Sequence, residues 1–131
     1  MKIAISTSTA DLDSLVDPRF GRAASFVIVD TETEEWNAYP NPALNASGGA
    51  GVQAAQFITE HGAQAAISGD FGPNAYSALV AAGVKMFLAP ASEPLTAREL
   101  LARYRRGQLQ QVSAPTNPGH HAPRGGRRGV R

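Results

Sequence analysis

The stretch Asp17-Pro18-Arg19-Phe20-Gly21-Arg22 holds the residues of this chain best suited to chemistry. Two guanidinium groups, at Arg19 and Arg22, flank an aromatic ring and a glycine. Planar donor forks of this kind suit an oxyanion, and a neighbouring carboxylate such as Asp17 can orient one of them. The plainer alternative is a surface turn whose arginines pair with nearby acids. Two glycine-rich stretches offer a second anion chemistry: Ser47-Gly48-Gly49-Ala50-Gly51, and Gly69-Asp70-Phe71-Gly72-Pro73-Asn74. Each precedes a helical pattern. Free N–H groups and the dipole at a helix start favour negative charge, and glycine permits close backbone approach. The same glycines could equally make tight turns. Neither stretch fits a phosphate loop, which needs Gly-Lys-Ser/Thr or a spaced G-x-G-x-x-G. The hydroxyls of Ser6, Thr7 and Ser8, in the segment 6–9 that ends the first strand, complete the candidate donor set.

Metal and enzyme chemistry have little to work with. There is no cysteine, so thiolate metal sites, Cys-ligated iron–sulfur clusters and cysteine nucleophiles are excluded. His61 falls near a helix C-terminus, where a partly charged imidazole is mildly favoured. His120 and His121 are adjacent and are weak candidates to capture a metal. Asp70, in its glycine-rich strand–helix loop, could act as a base on a small phosphorylated substrate. No nucleophile–base pair accompanies it, so a non-enzymatic role is expected.

The elements that must position these residues follow from periodicity and punctuation. Lys2–Thr7 alternates and reads as a strand. Residues 8–22 lack periodicity and read as a long loop, a kind that is often functional. Ser25–Asp30 and Glu35–Tyr39 read as strands joined in a hairpin, ended by Pro40-Asn41-Pro42. A helix is expected from about 50 to 61, stopped by Gly62, then a strand over 63–68. Pro73 opens a second helix that Gly83 stops, and Val84–Leu88 is a fifth strand. The last helix has a capping box in Thr96 and Glu99, a hydrophobic staple in Leu95 and Leu100, and Arg103, Arg105 and Arg106 in its last turn. The order βββαβαβα predicts an α/β fold with a mixed five-stranded sheet and flanking helices. If strands one and four are parallel neighbours, segments 6–9 and 69–74 leave at one sheet edge, the usual place for a ligand in such folds.

Charge divides the chain into an α/β domain over 1–112 and a Pro/Gly/His/Arg-rich tail over 113–131, expected to be disordered. The first part holds eight basic and all eleven acidic residues, a net −3; the tail holds four arginines and no acid. A short basic tail attracts polyanions only weakly and non-specifically, so nucleic acid is not an expected partner. No apolar run approaches the roughly 18 residues of a membrane span, and no export signal is visible. A cytoplasmic location is expected.

These pieces, in this order, resemble the dinitrogenase iron–molybdenum cofactor biosynthesis family. The matching segments are KIAIST (2–7), DPRFGRAASFVIVD (17–30), SGGAGVQAAQF (47–57), AAISGDFGPNAYSALVAAGVKMF (65–87) and YRRGQL (104–109). The resemblance implies a ribonuclease H-like architecture and a carrier or storage role for iron–molybdenum cofactor or its iron–sulfur precursors, bound transiently. It also implies iron–sulfur or nitrogenase assembly proteins as partners. Family members tied to nitrogenase often carry histidine before Phe-Gly, where this chain has Arg19. A guanidinium holds an anionic cluster by charge and does not coordinate a metal. The alternative expectation is a regulatory or protein-interaction module whose tail docks a partner. A nuclease would need clustered carboxylates for two metal ions, and strand one carries none.

Overall fold

The structure, a computed structural model, describes residues 1–117. Its elements run β1 (Lys2–Thr7), β2 (Ser25–Asp30), β3 (Trp36–Pro40), α1 (Ala50–Glu60), β4 (Ala63–Ser68), α2 (Pro73–Ala81), β5 (Lys85–Leu88), α3 (Ala97–Arg105) and β6 (Gln110–Gln111). The strands form one mixed sheet in the order β3-β2-β1-β4-β5-β6. Strand β1 is parallel to β4, and β4 to β5; the remaining pairs are antiparallel.

The sheet thus has six strands where the sequence reading expects five. The additional β6 is two residues long, too short to leave an alternation that could be read. It is seated by Val112, which is buried and donates its N–H to the Met86 carbonyl at 2.8 Å. Pro40 closes β3 from inside the strand, which is tolerable because β3 lies at the sheet edge.

Both faces of the central strands are covered, which is why β1 and β4 are buried at every position but one each. One face carries α1 and α2. Their layer is built largely from alanines, with Ala54 and Ala55 of α1 in the same buried cluster as Ala4 and Ala66, and with Phe20, Phe26 and Phe71 filling its end. The other face carries α3, where Leu100 and Leu101 pack in a cluster with Ile3, Ile5, Val27 and Ile67. The capping box of α3 is formed: Thr96 Oγ1 accepts the Glu99 N–H at 3.1 Å, and Glu99 Oε1 accepts the Thr96 N–H at 2.9 Å. Among the described residues, no helix is long and apolar enough to cross a membrane.

Surface ion pairs tie the α3 layer to the rest. Arg98 bonds Asp13 at 2.7 Å and Arg103 bonds Glu93 at 2.8 Å. The arginine hydrogen bonds hold both carboxyls below their ordinary range. Asp30 is lowered too, first by the Glu32 N–H that it accepts in the β2–β3 turn. A carboxyl whose folded pKa is depressed stabilises the fold above its unfolded value, and that contribution is lost as pH falls through the folded value. Thermal stability should therefore drop between about pH 5 and about pH 2, and the exposed pairs should matter less at high salt. Melting curves of the parent and of Arg98→Ala with Arg103→Ala check this: the double variant should be less sensitive to acid.

Candidate functional site

After β1 the chain makes an excursion and returns. The Ser8 N–H donates to the Leu15 carbonyl at 3.0 Å, Thr7 bridges Val16, and the Asp17 N–H donates to the Ser6 carbonyl at 2.9 Å. The return lays Asp17–Arg22 across the carboxyl ends of β1 and β4. Pro18 lies against Gly69 so closely that a Cβ on Gly69 would stand 2.8 Å from Pro18 Cα. Gly21 lies against the start of α1, where a Cβ would stand 3.0 Å from the Cα and N of Gly51. Gly51 in turn abuts the first turn of α2, with a Cβ there 3.1 Å from Ala75 Cβ. The arginine-bearing loop and both glycine stretches therefore meet at one sheet edge.

Asp17 organises the loop. Its carboxylate is buried, with 6% of the side chain exposed, and accepts the N–H of Arg19 at 3.0 Å and of Ala24 at 3.3 Å. It also takes Nε and Nη2 of Arg19 at 3.2 and 3.3 Å. That hydrogen bond, and then the charge, raise the Arg19 pKa further. The Arg19 side chain is 64% exposed and presents its remaining edge to solvent. Among the described residues, Arg22 forms an ion pair with no acid. Its Nη1 donates to the Leu44 and Ala46 carbonyls at 3.1 and 2.6 Å, which sets the guanidinium beside the chain that enters α1. Asn41, which the sequence reading passes over as part of a strand stop, is buried and donates to the Gly21 and Ala23 carbonyls at 3.0 and 2.9 Å.

The other candidates divide between supports and surface. Ser6 and Thr7 are fully buried. Ser6 Oγ bonds the Asp17 carbonyl at 2.7 Å and Ser68 Oγ at 2.8 Å, and Thr7 Oγ1 bonds Ser25 Oγ at 2.7 Å. Their hydroxyls brace the loop from below; β1 is central, so both of its faces turn inward. Ser8 is exposed and bonds Ser14 and the Leu15 carbonyl. Phe20 is a core residue, its ring 5.3 Å from those of Phe26 and Phe71, and it pins the loop between the two arginines. Gly48 and Gly49 are exposed, and Gly49 caps α1 with φ 70°. Gly72 caps α2, and Asn74 is exposed in its first turn. Asp70 is hydrogen-bonded to Thr116 and Asn117, residues assigned from sequence to the tail. His61 lies at the other end of α1, its Nδ1 2.9 Å from the Phe57 carbonyl. His120 and His121 fall outside the described residues. Among those described, no three His, Asp or Glu side chains gather to hold a metal ion.

The electrostatics of the edge are unusual in one respect. Helices α1 and α2 start side by side, and neither has a side-chain cap or an acidic residue in its first turn. Helix α3 has both. Two adjoining positive helix ends raise each other's energy unless something negative is shared between them. A cleft of about 330 Å³, lined by Gly69, Leu88–Ala91 and Gln108–Gln110, adjoins the site at Gly69. Another of about 390 Å³ lies at the opposite end of the sheet, around Lys2, Tyr39 and His61.

Residues 1–107 match the family model described as dinitrogenase iron-molybdenum cofactor. The fold is similar to that of the apo form of the orange protein from Desulfovibrio gigas, with a TM-score of 0.83 and 41% identity over 88% of this chain and 96% of that one. It is also similar to a putative NifB protein from Thermotoga, with a TM-score of 0.77 and 32% identity over 90% and 98% of the two chains. An uncharacterized protein of Methanocaldococcus jannaschii is 33% identical over 92 residues, which cover 68% of this chain and 75% of that protein.

Proposed function

The chain belongs to the dinitrogenase iron–molybdenum cofactor family, and from that membership we propose that it is a non-catalytic module that carries or stores an anionic metal cluster or metal oxyanion. The cargo is iron–molybdenum cofactor, an iron–sulfur precursor or a related species, bound transiently in the cytoplasm and exchanged with cofactor-assembly proteins. The observation that carries this reading is the pair of abutting, uncapped helix starts of α1 and α2 beneath a loop that sets Gly21 against α1 and Arg22 against the chain entering it. An anion seated there relieves the repulsion of two positive ends, neither of which has a side-chain cap of its own.

The donor set also defines how the cargo is held. Backbone amides and guanidinium edges grip the outer atoms of a preassembled anion by hydrogen bonds and charge. The chain has no thiolate, so this grip needs no thiolate–metal bond to form or break. Arg22 is the stronger contributor, because Asp17 already neutralises Arg19. The strand order β3-β2-β1-β4-β5, with β2 the antiparallel neighbour of β1, supports reading the architecture as ribonuclease H-like.

Anaerobic incubation of the purified protein with isolated iron–molybdenum cofactor, and separately with molybdate, tests the reading. Cofactor should stay with the protein through desalting, and affinity should fall as salt rises. Arg22→Ala should weaken binding about tenfold, the scale of one charge-assisted hydrogen bond, and Arg19→Ala should weaken it less. Retention that is absent, or identical in parent and Arg22→Ala, would rule the seat out.

A further inference from the structure

Residues 113–117 close over the β4–α2 turn beside the seat. Tyr76 Oη donates to the Ser113 carbonyl at 2.8 Å, and the Thr116 N–H donates to the Phe71 carbonyl at 2.8 Å. The Phe71 N–H donates back to Thr116 Oγ1 at 2.7 Å. Thr116 Oγ1 and Asn117 Nδ2 then donate to the two carboxylate oxygens of Asp70, each at 2.6 Å. Asn117 Oδ1 lies 3.3 Å from where a Cβ on Gly72, the cap residue of α2, would stand. None of residues 113–117 is buried, and the last core side chain before them is that of Val112. A segment held by polar contacts without buried apolar surface opens at low free energy.

We propose that this segment is an autoinhibitory strap on the anion seat. The Thr116 hydroxyl sits on the Phe71 amide and Asn117 covers Gly72, so the α2 side of the seat is occupied from within the chain. An oxyanion that engages the start of α2 displaces the strap. Asp70 is its anchor: two charge-assisted hydrogen bonds hold it shut. Strap and ligand compete for one place, so the coupling runs both ways: ligand opens the strap, and the closed strap lowers the apparent affinity by the fraction of molecules in which it is open. The inference rests on the proposed anion-binding function and adds a regulator to it.

The test uses the full-length protein with molybdate as the probe, and reads affinity by calorimetry and amide exchange at Thr116. Thr116→Ala with Asn117→Ala, and separately Asp70→Asn, should each tighten molybdate binding by about threefold to tenfold. The two sets combined should gain little beyond the better one, because both release the same strap. Saturating molybdate should speed exchange of the Thr116 amide in the parent. Equal or weaker binding by the variants, or a Thr116 amide indifferent to molybdate, overturns the strap and leaves the seat standing. If parent and variants all fail to bind molybdate, the seat itself is refuted and the strap has nothing to inhibit.

Discussion

Gly69→Ala should cost about 3 kcal/mol of stability, a large part of what a domain of this size has in hand. The added Cβ would stand 2.8 Å from Pro18 Cα, 3.0 Å from its Cβ and 3.2 Å from its carbonyl oxygen. None of these atoms can turn aside. Pro18 is a rigid ring on a backbone held at Asp17, whose N–H and carbonyl are both bonded to Ser6. The strain can be relieved only by lifting the 17–22 loop off β4, and that separates Arg22 from the helix starts. Denaturant unfolding should show the midpoint fall, and molybdate affinity should fall with it. Gly48→Ala is the control: no atom stands within 4 Å of the new methyl, so stability should stay within about 0.5 kcal/mol of the parent. If Gly69→Ala is as harmless as Gly48→Ala, Pro18 does not rest on β4 and the loop is not seated as described.

Asp17→Ala should be comparably damaging, for a different reason. Its carboxylate is buried and serves the backbone N–H groups of Arg19 and Ala24 as well as the Arg19 guanidinium. Removing it strands two backbone donors in a partly buried turn, and each lost partner costs about 1–3 kcal/mol. We expect a loss of about 3 kcal/mol together with loss of anion binding, because the turn that presents both arginines loses its acceptor. Asp17→Asn keeps one carbonyl oxygen and should fall between. Arg19→Ala removes an exposed partner and should cost less than about 1 kcal/mol. Equilibrium unfolding of the three variants ranks them. Should Asp17→Ala cost no more than Arg19→Ala, Asp17 is merely one half of a surface ion pair.

Much of the fold was legible because the signals are local. The two glycines expected to stop helices, Gly62 and Gly83, both adopt positive φ, at 84° and 75°, as does Gly107 after α3, at 69°. Thr96 and Glu99 cap α3 as their spacing predicts. Alternation and β-branching placed five strands. β6 escaped because its two residues are held by a neighbour and not by their own pattern. The candidate site was legible in outline for a related reason: once β1 and β4 are parallel neighbours, the loops that follow them must share an edge.

The roles within that edge were not legible. Ser6 and Thr7 read as ligand-facing hydroxyls, yet they brace the loop from inside the core, because whether a strand is central or peripheral depends on which partners flank it. Asn41 read as part of a strand stop, yet it is buried and donates to the loop carbonyls; Asp17 read as a partner for an arginine, and it orients Arg19 while also accepting the Arg19 and Ala24 N–H groups from a buried position. Asp70 is bonded to a residue 46 positions away. By itself, then, the sequence determined element types, their ends, the family and the segments that could grip an anion, since periodicity, capping and backbone freedom act over a few residues. Only the tertiary structure decided which glycine faces which backbone, that two helix starts without side-chain caps adjoin, and that residues 113–117 are hydrogen-bonded to the β4–α2 turn. Those outcomes depend on chain crossings between distant segments, where a contact of about 3 Å is set by the packing of the whole sheet and not by any local pattern.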